Sequence, residues 1–309
     1  MGMFNAEKEH VVMSARKISE QDIVVRFFGY LCRIGSENTA ECYVRDTKAF
    51  MESIDYDVEA FTQATAEDYI MRDVDGKTPS PSTQNRRIAA LKAFVKWANR
   101  DGDVIHDCLS KIVRSKSKRV LPECLTEEEC VALLEAVNRK NPVGLRNRAI
   151  LELLYSGGCR VDEVLKLTTK CIDFDNDVIK VMGKGGKERL VIMGKQAKEC
   201  LLAYMEQGRE KVTAGTNTSL VFTTRSGKPL TRNVVWHTMQ EAAEKAGIEK
   251  HVHPHILRHS FATHLLKNGA DIMVIKELLG HESIASTQIY LTVDEKDKRK
   301  AFKEFFPRK

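Results

Sequence analysis

"HPHILRHSFATHLLKNGAD", residues 253–271, has the pattern of a single helix that ends in a turn. Pro254 suits the first turn of a helix, and "NGAD" is a stop signal that follows Leu266. At roughly 100° per residue, apolar side chains three or four positions apart share one face. The face so formed consists of Leu257, Phe261 and Leu265. The stretch therefore predicts a helix that is buried along one side in the core of its domain.

The neighbouring face of this predicted helix carries imidazole and guanidinium groups. His255, Arg258 and His259 gather there, and the chain contains only 9 histidines in all. His255 and Arg258 are three residues apart, so their side chains are neighbours at the margin of the core. A partly buried arginine needs an anionic partner. His264 falls on the apolar side, where we expect a hydrogen-bonded core residue.

Two kinds of site fit such a cluster. One is a metal site, since histidine is a common zinc ligand, but an arginine among the ligands would repel the ion. The other is a phosphate or oxyanion site, in which guanidinium groups bind the charge and imidazoles donate hydrogen bonds or transfer protons. The residue types favour the phosphate site.

Composition limits the class of protein. With 309 residues, 42% hydrophobic and 30% charged, the chain is long enough for two domains. It has no apolar run of the roughly 18 residues that a membrane span requires, and residues 1–20 are too polar for a secretory signal. The 8 cysteines contain no C-x-x-C pair, which indicates reduced thiols. We expect a cytoplasmic protein, and the net charge of +6 is a weak indication of an anionic partner.

A basic segment separates two helical regions. "KIVRSKSKR", residues 111–119, has no acidic residue and few apolar ones, and it is either a solvated connector or a strap along a polyanion. We predict a helical domain over 1–107, a basic linker over 108–123 and a second domain over 124–309.

The first region has the pattern of a small helical bundle. Ser36 is a candidate cap for one helix, and Ser82 is a candidate cap for another that ends near Gly102. The basic residues of this region either face DNA or serve solubility. They are Lys48, Arg86, Arg87, Lys92, Lys96 and Arg100.

The second region opens with "LTEEEC", in which Thr126 is a predicted helix cap followed by three glutamates that suit the helix dipole. Farther on, the β-prone runs 178–182 and 189–193 predict a hairpin. Lys184 and Lys187 lie in or beside its glycine-rich turn, where an ammonium group can be held away from the domain.

Two further turns carry polar side chains. Gly157 and Gly158 end a predicted helix and place Arg160 at the start of the next, where glycines would let a substrate backbone come close. Later, Gly280 is a helix stop and His281 falls in the turn after it. Ser283 can cap a short helix that carries Tyr290.

Four motifs occur in an order that resembles a known family. "GGCRVDE", "GKGGKER", "HPHILRHSFATHLLKNGAD" and "LLGHESIASTQIY" are similar to the tyrosine recombinases of the phage-integrase family, most closely to their Xer branch. The resemblance covers about residues 124–309. It extends more weakly to "STQNRRIAALKAFVKWA", which resembles the SAM-like core-binding domain of these proteins.

The resemblance implies a catalytic set. Its members are Arg160, Lys184, His255, Arg258, His281 and Tyr290. Tyr290 matches the nucleophile and Lys184 the hairpin lysine, although Lys187 competes for that role on chemistry alone. Glu163 matches an acidic position that supports the first arginine. The reaction implied is DNA cleavage and rejoining through a 3′-phosphotyrosyl intermediate, with no metal or cofactor.

The resemblance also implies an architecture and partners. The fold expected is mainly α with a small β-hairpin or sheet, in two domains that close around duplex DNA as a C-shaped clamp. Partners would be DNA with paired half-sites, further copies of the chain in a dimer or tetramer, and an accessory DNA translocase or a second recombinase. Resolution of chromosome or plasmid dimers, integration of a mobile element, and silent DNA binding all remain open as functions.

The tail of the chain has a small apolar face. Phe302 and Phe306 are four residues apart on a charged helix, so they share one side. The face either folds back on its own domain or docks on a neighbouring subunit, and the family resemblance favours the neighbour.

Overall fold

The computed structural model describes residues 18–35, 37–73, 76–101, 108–115, 123–183, 188–280 and 295–307. The chain forms two compact units, Met1–Val120 and Leu121–Lys309. Each unit has its own buried hydrophobic core. Helices dominate both units and the described part contains one small antiparallel sheet, which confirms the mainly α fold class. The linker limits 108–123 stay a prediction.

The first unit is a helical bundle. A π-helical segment, Asp22–Phe27, leads into α1 (Phe28–Ile34), and α2 (Glu37–Glu52), α3 (Gln63–Met71) and α4 (Pro81–Asp101) follow. Aromatic rings fill the centre of this bundle. The ring of Phe27 lies 5.4 Å from that of Phe94 and 5.4 Å from that of Trp97, both on α4, so α4 packs against the π-helical segment through aromatic contacts.

The cap of α4 differs from the prediction. Ser82 lies inside the helix, whereas the hydroxyl of Ser80 accepts a hydrogen bond from the Thr83 amide at 3.2 Å. The reason is Pro81, which needs no amide partner and so takes the first helical position. Ser36, the other predicted cap, lies outside the described residues.

The beginning of the predicted linker belongs to the first core. Leu109 and Ile112 are buried there. The Ser115 amide donates to Oδ1 of Asn85 on α4, and the Asn85 amide donates back to the Ser115 carbonyl, each at 3.0 Å. Residues 108–115 are therefore held against α4.

Several basic residues of the first unit are engaged within it. Arg87 is buried, and its Nη1 donates to the carbonyls of Tyr69, Ile70 and Arg72 at the end of α3. It caps that helix, so the prediction that it faces DNA is wrong. Arg86 pairs with the buried Asp46. The exposed members of the predicted set include Lys96 and Arg100.

The second unit contains the remaining elements in chain order. They are α5 (Glu127–Glu135), α6 (Pro142–Ser156), α7 (Val161–Leu165), β1 (Ile172–Asp173), β2 (Val178–Met182), β3 (Glu188–Ile192), α8 (Lys195–Ala203), a π-helical turn (Tyr204–Gly208), α9 (Arg209–Thr213), α10 (Arg232–Lys245), α11 (Pro254–Lys267), α12 (Ile272–Leu279) and α13 (Glu295–Phe305). In the part that the structure describes, no helix is both long and apolar enough to cross a bilayer.

The local signals in this unit are largely confirmed. The Thr126 hydroxyl accepts from the Glu129 amide at 3.1 Å and the Glu129 carboxylate accepts from the Thr126 amide at 2.7 Å, which forms a capping box at α5. The predicted hairpin is β2 and β3, paired antiparallel from Val178 opposite Ile192. A two-residue strand, β1, extends the sheet and was not predicted.

Helix α11 runs through the core as predicted. Its face of Leu257, Phe261 and Leu265 is buried. His264 is also buried, and the structure confirms it as a hydrogen-bonded core residue. Its Nε2 lies 2.9 Å from the Leu125 carbonyl and its Nδ1 2.9 Å from the Tyr155 hydroxyl. Because a carbonyl only accepts, Nε2 carries the proton and Nδ1 accepts from Tyr155.

The apolar face of α13 packs on its own unit. Phe306 is fully buried, and its ring lies 5.4 Å from those of Tyr155 and Phe261 and 5.0 Å from that of Phe302. Within one chain, α11 offers an apolar surface to these rings. Docking of the face on a neighbouring subunit stays a prediction.

We expect Phe306→Ala to lower the free energy of unfolding of the monomer by about 3 to 5 kcal/mol, since it removes a fully buried ring. Urea unfolding at low protein concentration measures this loss. Phe305→Ala is the matched control, because Phe305 lies one position away and is only half-buried. Equal unfolding midpoints for wild type and Phe306→Ala would show that the ring is not in this core in solution.

Candidate functional site

The corner between α6 and α7 is shaped by glycine. Gly158 has φ +55°, and a Cβ there would lie 2.7 Å from the ring of Phe261 and 3.0 Å from Leu279. Glycine is therefore required because α11 and α12 pack directly against the corner. The sequence predicts room for a substrate backbone at these glycines, but at Gly158 the side chains of Phe261 and Leu279 occupy that space.

Arg160 lies at the N-terminus of α7, directly after this corner. Its Nη1 donates to Oε1 of Glu163 at 2.8 Å, and its main-chain amide donates to Oε2 at 2.7 Å. The Arg160 side chain is 32% exposed while that of Glu163 is 3% exposed. The carboxylate thus holds the arginine from the protein side, and part of the guanidinium faces solvent.

Arg258 enters the same corner from α11. Its guanidinium donates to the carbonyls of Gly158 and Leu279, the latter at 2.6 Å. Burial and the positive charges of Arg160 and Arg189 lower the pKa of Arg258 to about 10, so it stays protonated at neutral pH. The sequence predicts an anionic partner for it. Both hydrogen bonds go instead to neutral oxygens, so they orient the guanidinium without cancelling its charge.

His255 lies one turn before Arg258 on α11 and is exposed. Its ring centroid lies 6.4 Å from that of His253, which lies 5.9 Å from that of His251. Burial, and then the neighbouring imidazoles, lower the pKa of His253. In the described ranges, no group of three or more histidine, cysteine or acidic side chains is arranged to hold a metal ion.

Arg189, at the start of β3, is a site residue that the sequence analysis missed. Its Nη2 donates to Oε2 of Glu163 and its Nη1 donates to the Leu278 carbonyl, both at 2.8 Å. Burial raises the pKa of Glu163, but the hydrogen bond and charge of Arg189, aided by Arg160, outweigh burial and lower it overall. Glu163 is therefore an ionised carboxylate between two guanidinium groups.

Three guanidinium groups thus surround one carboxylate: Arg160, Arg189 and Arg258 around Glu163. The nearby Cys159 thiol is buried, and burial raises its pKa to about 12, so it adds no negative charge at neutral pH. An excess of positive charge remains, on groups fixed by main-chain oxygens. Such an arrangement can bind the non-bridging oxygens of a phosphate and stabilise charge that develops on them.

Comparison with known proteins gives the same assignment as the motifs. A family model described as "Phage integrase family" matches residues 123–297, and a model of the "Phage integrase, N-terminal SAM-like domain" matches residues 24–102. The chain belongs to the phage integrase family.

The curated relatives of this integrase-family protein are tyrosine recombinases. It is 37% identical over 281 residues to tyrosine recombinase XerD of Listeria innocua, which covers 88% of this chain and 94% of the relative. It is also 37% identical over 276 residues to XerD of Staphylococcus saprophyticus, with coverage of 88% and 94%. The chain is therefore a tyrosine site-specific recombinase of Xer type.

Solved structures show the same fold for the recombinase. XerH site-specific recombinase bound to a palindromic difH substrate matches with a TM-score of 0.66 at 20% identity, over 88% of this chain and 92% of XerH. A λ integrase dimer bound to a COC′ core site matches with a TM-score of 0.63 at 19% identity, over 89% and 99%.

The structure places part of the predicted catalytic set of this recombinase. Arg160, His255 and Arg258 lie in the described residues, and Arg160 and Arg258 meet at the α6–α7 corner, where Arg258 binds Gly158. Lys184, His281 and Tyr290 lie outside the described residues. Lys184 follows β2 in sequence by two residues, and His281 directly follows Gly280, which ends α12 with φ +62°.

Proposed function

We propose that this recombinase cleaves and rejoins DNA at specific sites through a 3′-phosphotyrosyl intermediate formed by Tyr290. The observation that carries the proposal is the pair Arg160 and Arg258, fixed at one corner by Glu163 and by main-chain carbonyls. Because the anchors of Arg258 are uncharged, its full charge is available to a phosphodiester. Preorganised cations of this kind stabilise a phosphoryl transition state.

In the proposed reaction, the Tyr290 oxygen attacks phosphorus and the bond from phosphorus to the 5′ oxygen breaks. Arg160, Arg258 and His281 contact the non-bridging oxygens, where negative charge increases. An unperturbed tyrosine hydroxyl has a pKa of about 10, so the tyrosine must pass its proton to a base as its oxygen attacks phosphorus. His255 is that base, and its exposure on α11 leaves the imidazole accessible to an incoming duplex.

Lys184 gives a proton to the leaving 5′ oxygen. The product is a phosphotyrosine ester at the 3′ end and a free 5′-hydroxyl. The ester conserves the energy of the broken linkage, so a 5′-hydroxyl of another strand can reverse the step. Breakage and rejoining therefore need no nucleotide triphosphate.

The partners follow from this chemistry. We place the recombinase in the cytoplasm on duplex DNA with paired half-sites, as a dimer or tetramer that exchanges strands between two duplexes. Relatives support this, since λ integrase is known as a tetramer bound to a Holliday junction. Identity to proteins named XerD favours resolution of chromosome or plasmid dimers, with an accessory DNA translocase or a second recombinase as a further partner.

Covalent trapping tests the proposed function. Genomic DNA fragments that bind the protein would be selected, rebuilt as nicked suicide duplexes, incubated with the recombinase and separated on a denaturing gel. We expect a slow covalent band that resists EDTA, and peptide mapping that finds the DNA on Tyr290. Specific binding with no band, alone and after addition of candidate partner recombinases, would indicate a silent DNA-binding protein.

We expect Lys184→Ala to block cleavage of an ordinary phosphodiester and to be rescued by a substrate whose 5′ bridging oxygen is sulfur. A thiolate leaves without a proton, so the general acid is no longer needed. Cleavage rates on both substrates measure the effect. Lys187→Ala is the matched control, three residues away in sequence, and rescue of Lys187→Ala in place of Lys184→Ala would transfer the role to Lys187.

A further inference from the structure

We infer that Arg189 is a positioning residue for strand cleavage, because it links the supports of both arginines of the site. One side of its guanidinium binds the carboxylate of Glu163, which holds Arg160. The other side binds the Leu278 carbonyl, next to the Leu279 carbonyl that accepts from Arg258. This inference rests on the proposed function.

The first role of Arg189 is to balance charge. Glu163 carries one negative charge and binds two guanidinium groups, Arg160 and Arg189. With Arg189 present, Glu163, Arg160 and Arg189 together carry a net charge of about +1. Without Arg189, the charges of Glu163 and Arg160 cancel. Arg160 then attracts a phosphate less strongly, although it remains in place. Arg189 thus keeps Arg160 electrostatically available to substrate.

Its second role is to fix the end of α12. The Arg189 side chain is 13% exposed and lies against Gly280, where a Cβ would come within 2.6 Å of Arg189 Cδ. Because Gly280 has no side chain, the arginine stem crosses the helix end closely enough to reach the Leu278 carbonyl. Leu279, one residue on, accepts from Arg258. Loss of Arg189 therefore loosens one of the two oxygens that orient Arg258.

The hairpin explains why this residue is suited to the role. Arg189 stands on β3, opposite Val181 of β2, in a strand whose later residues are buried in the core. It thus reaches Glu163 on α7 and Leu278 near the end of α12 from a strand paired to β2. Among the described residues, the groups that face Glu163 are Arg160 before α7, Arg189 on β3, Arg258 on α11 and the un-ionised Cys159.

The test compares Arg189→Met, Arg189→Lys and Gly280→Ala with wild type on a nicked suicide duplex. We expect Arg189→Met to slow covalent-complex formation by about 10- to 100-fold, as loss of charged hydrogen bonds predicts, with DNA affinity little changed. Arg189→Lys should restore part of the rate because it keeps the charge. Gly280→Ala should also slow cleavage, although Arg189 is still present.

Titration of the Glu163 carboxyl separates positioning from a purely structural role. Removing Arg189 raises the pKa of Glu163, because burial is then opposed less strongly. The Glu163 carboxyl should therefore take up its proton at a higher pH in Arg189→Met than in wild type. Arg209→Met is the matched control, since Arg209 is half-buried in the same unit and donates to the carbonyls of Thr218 and Leu220.

Three results would overturn the inference: an unchanged rate in Arg189→Met, an unshifted titration of Glu163 in that variant, or an equal slowing in Arg209→Met. Carbon-13 titration of the Glu163 carboxyl, assigned with Glu163→Gln, gives a readout independent of cleavage. If wild type forms no covalent band, the proposed function fails. The titration still decides whether Arg189 holds Glu163 ionised, and equal titration in wild type and Arg189→Met would refute the inference by itself.

Discussion

We expect Tyr290→Phe to form no covalent complex with DNA, whereas wild type should accumulate one on the same suicide duplex. The substitution removes only the hydroxyl oxygen, so no atom remains that can attack phosphorus. We expect DNA affinity to stay within about threefold of wild type, since binding draws mainly on phosphate contacts spread over the protein. A denaturing gel measures the complex and a mobility shift measures binding.

The control for this loss is a tyrosine outside the proposed site. Tyr155→Phe removes a hydroxyl that lies 2.9 Å from Nδ1 of His264 in the core. It should lower stability modestly and leave the covalent band in place. A residual band in Tyr290→Phe at the wild-type position, mapped to another residue, would move the nucleophile elsewhere.

Arg258→Lys should slow strand cleavage by about 100- to 1,000-fold, the effect of removing one preorganised donor to a developing oxyanion. Lysine keeps the charge but has no planar fork, so it cannot hold the carbonyls of Gly158 and Leu279 and still present a fixed donor to phosphate. Arg258→Ala should be at least as slow. Single-turnover cleavage at saturating protein measures both rates, with DNA affinity measured in parallel.

A fall in stability has to be separated from this effect. Arg258 is 7% exposed and Arg146 is 6% exposed. Like Arg258, Arg146 lies in the second unit and donates to a main-chain carbonyl, in its case that of Thr223 at 2.9 Å. Arg146→Lys is therefore a matched control for a buried arginine. If both variants lose cleavage in proportion to their unfolding midpoints, Arg258 is a folding residue and the proposed role in the transition state is wrong.

The sequence predicts the helical framework well because periodicity and caps are local. The face of Leu257 and Phe261 on α11 and the capping box of Thr126 are confirmed. Each depends on residues within a few positions of one another, so it forms wherever the tertiary packing is compatible with the local structure. The cap at Ser82 is wrong for an equally local reason, because Pro81 already starts the helix.

The contacts made between distant segments could not be predicted from pattern. Arg189 looks like the first residue of a strand, and its partners, Glu163 and Leu278, lie 26 and 89 residues away. Likewise, the sequence indicates that a buried arginine such as Arg258 needs hydrogen-bond acceptors, but it does not indicate that these acceptors are main-chain carbonyl oxygens. The face of Phe302 and Phe306 has the same limitation, since a short apolar stripe does not specify which surface covers it.

The anchoring of Arg258 also has a consequence during biosynthesis. Its two acceptors lie 100 and 21 residues away in the chain, so its orientation exists only after α6, α11 and α12 have come together. A nascent or partly unfolded chain still carries basic residues and can cling to DNA, but its guanidinium points in no fixed direction. The arrangement of Arg258 that the proposed cleavage requires therefore exists only in the complete tertiary structure of the second unit.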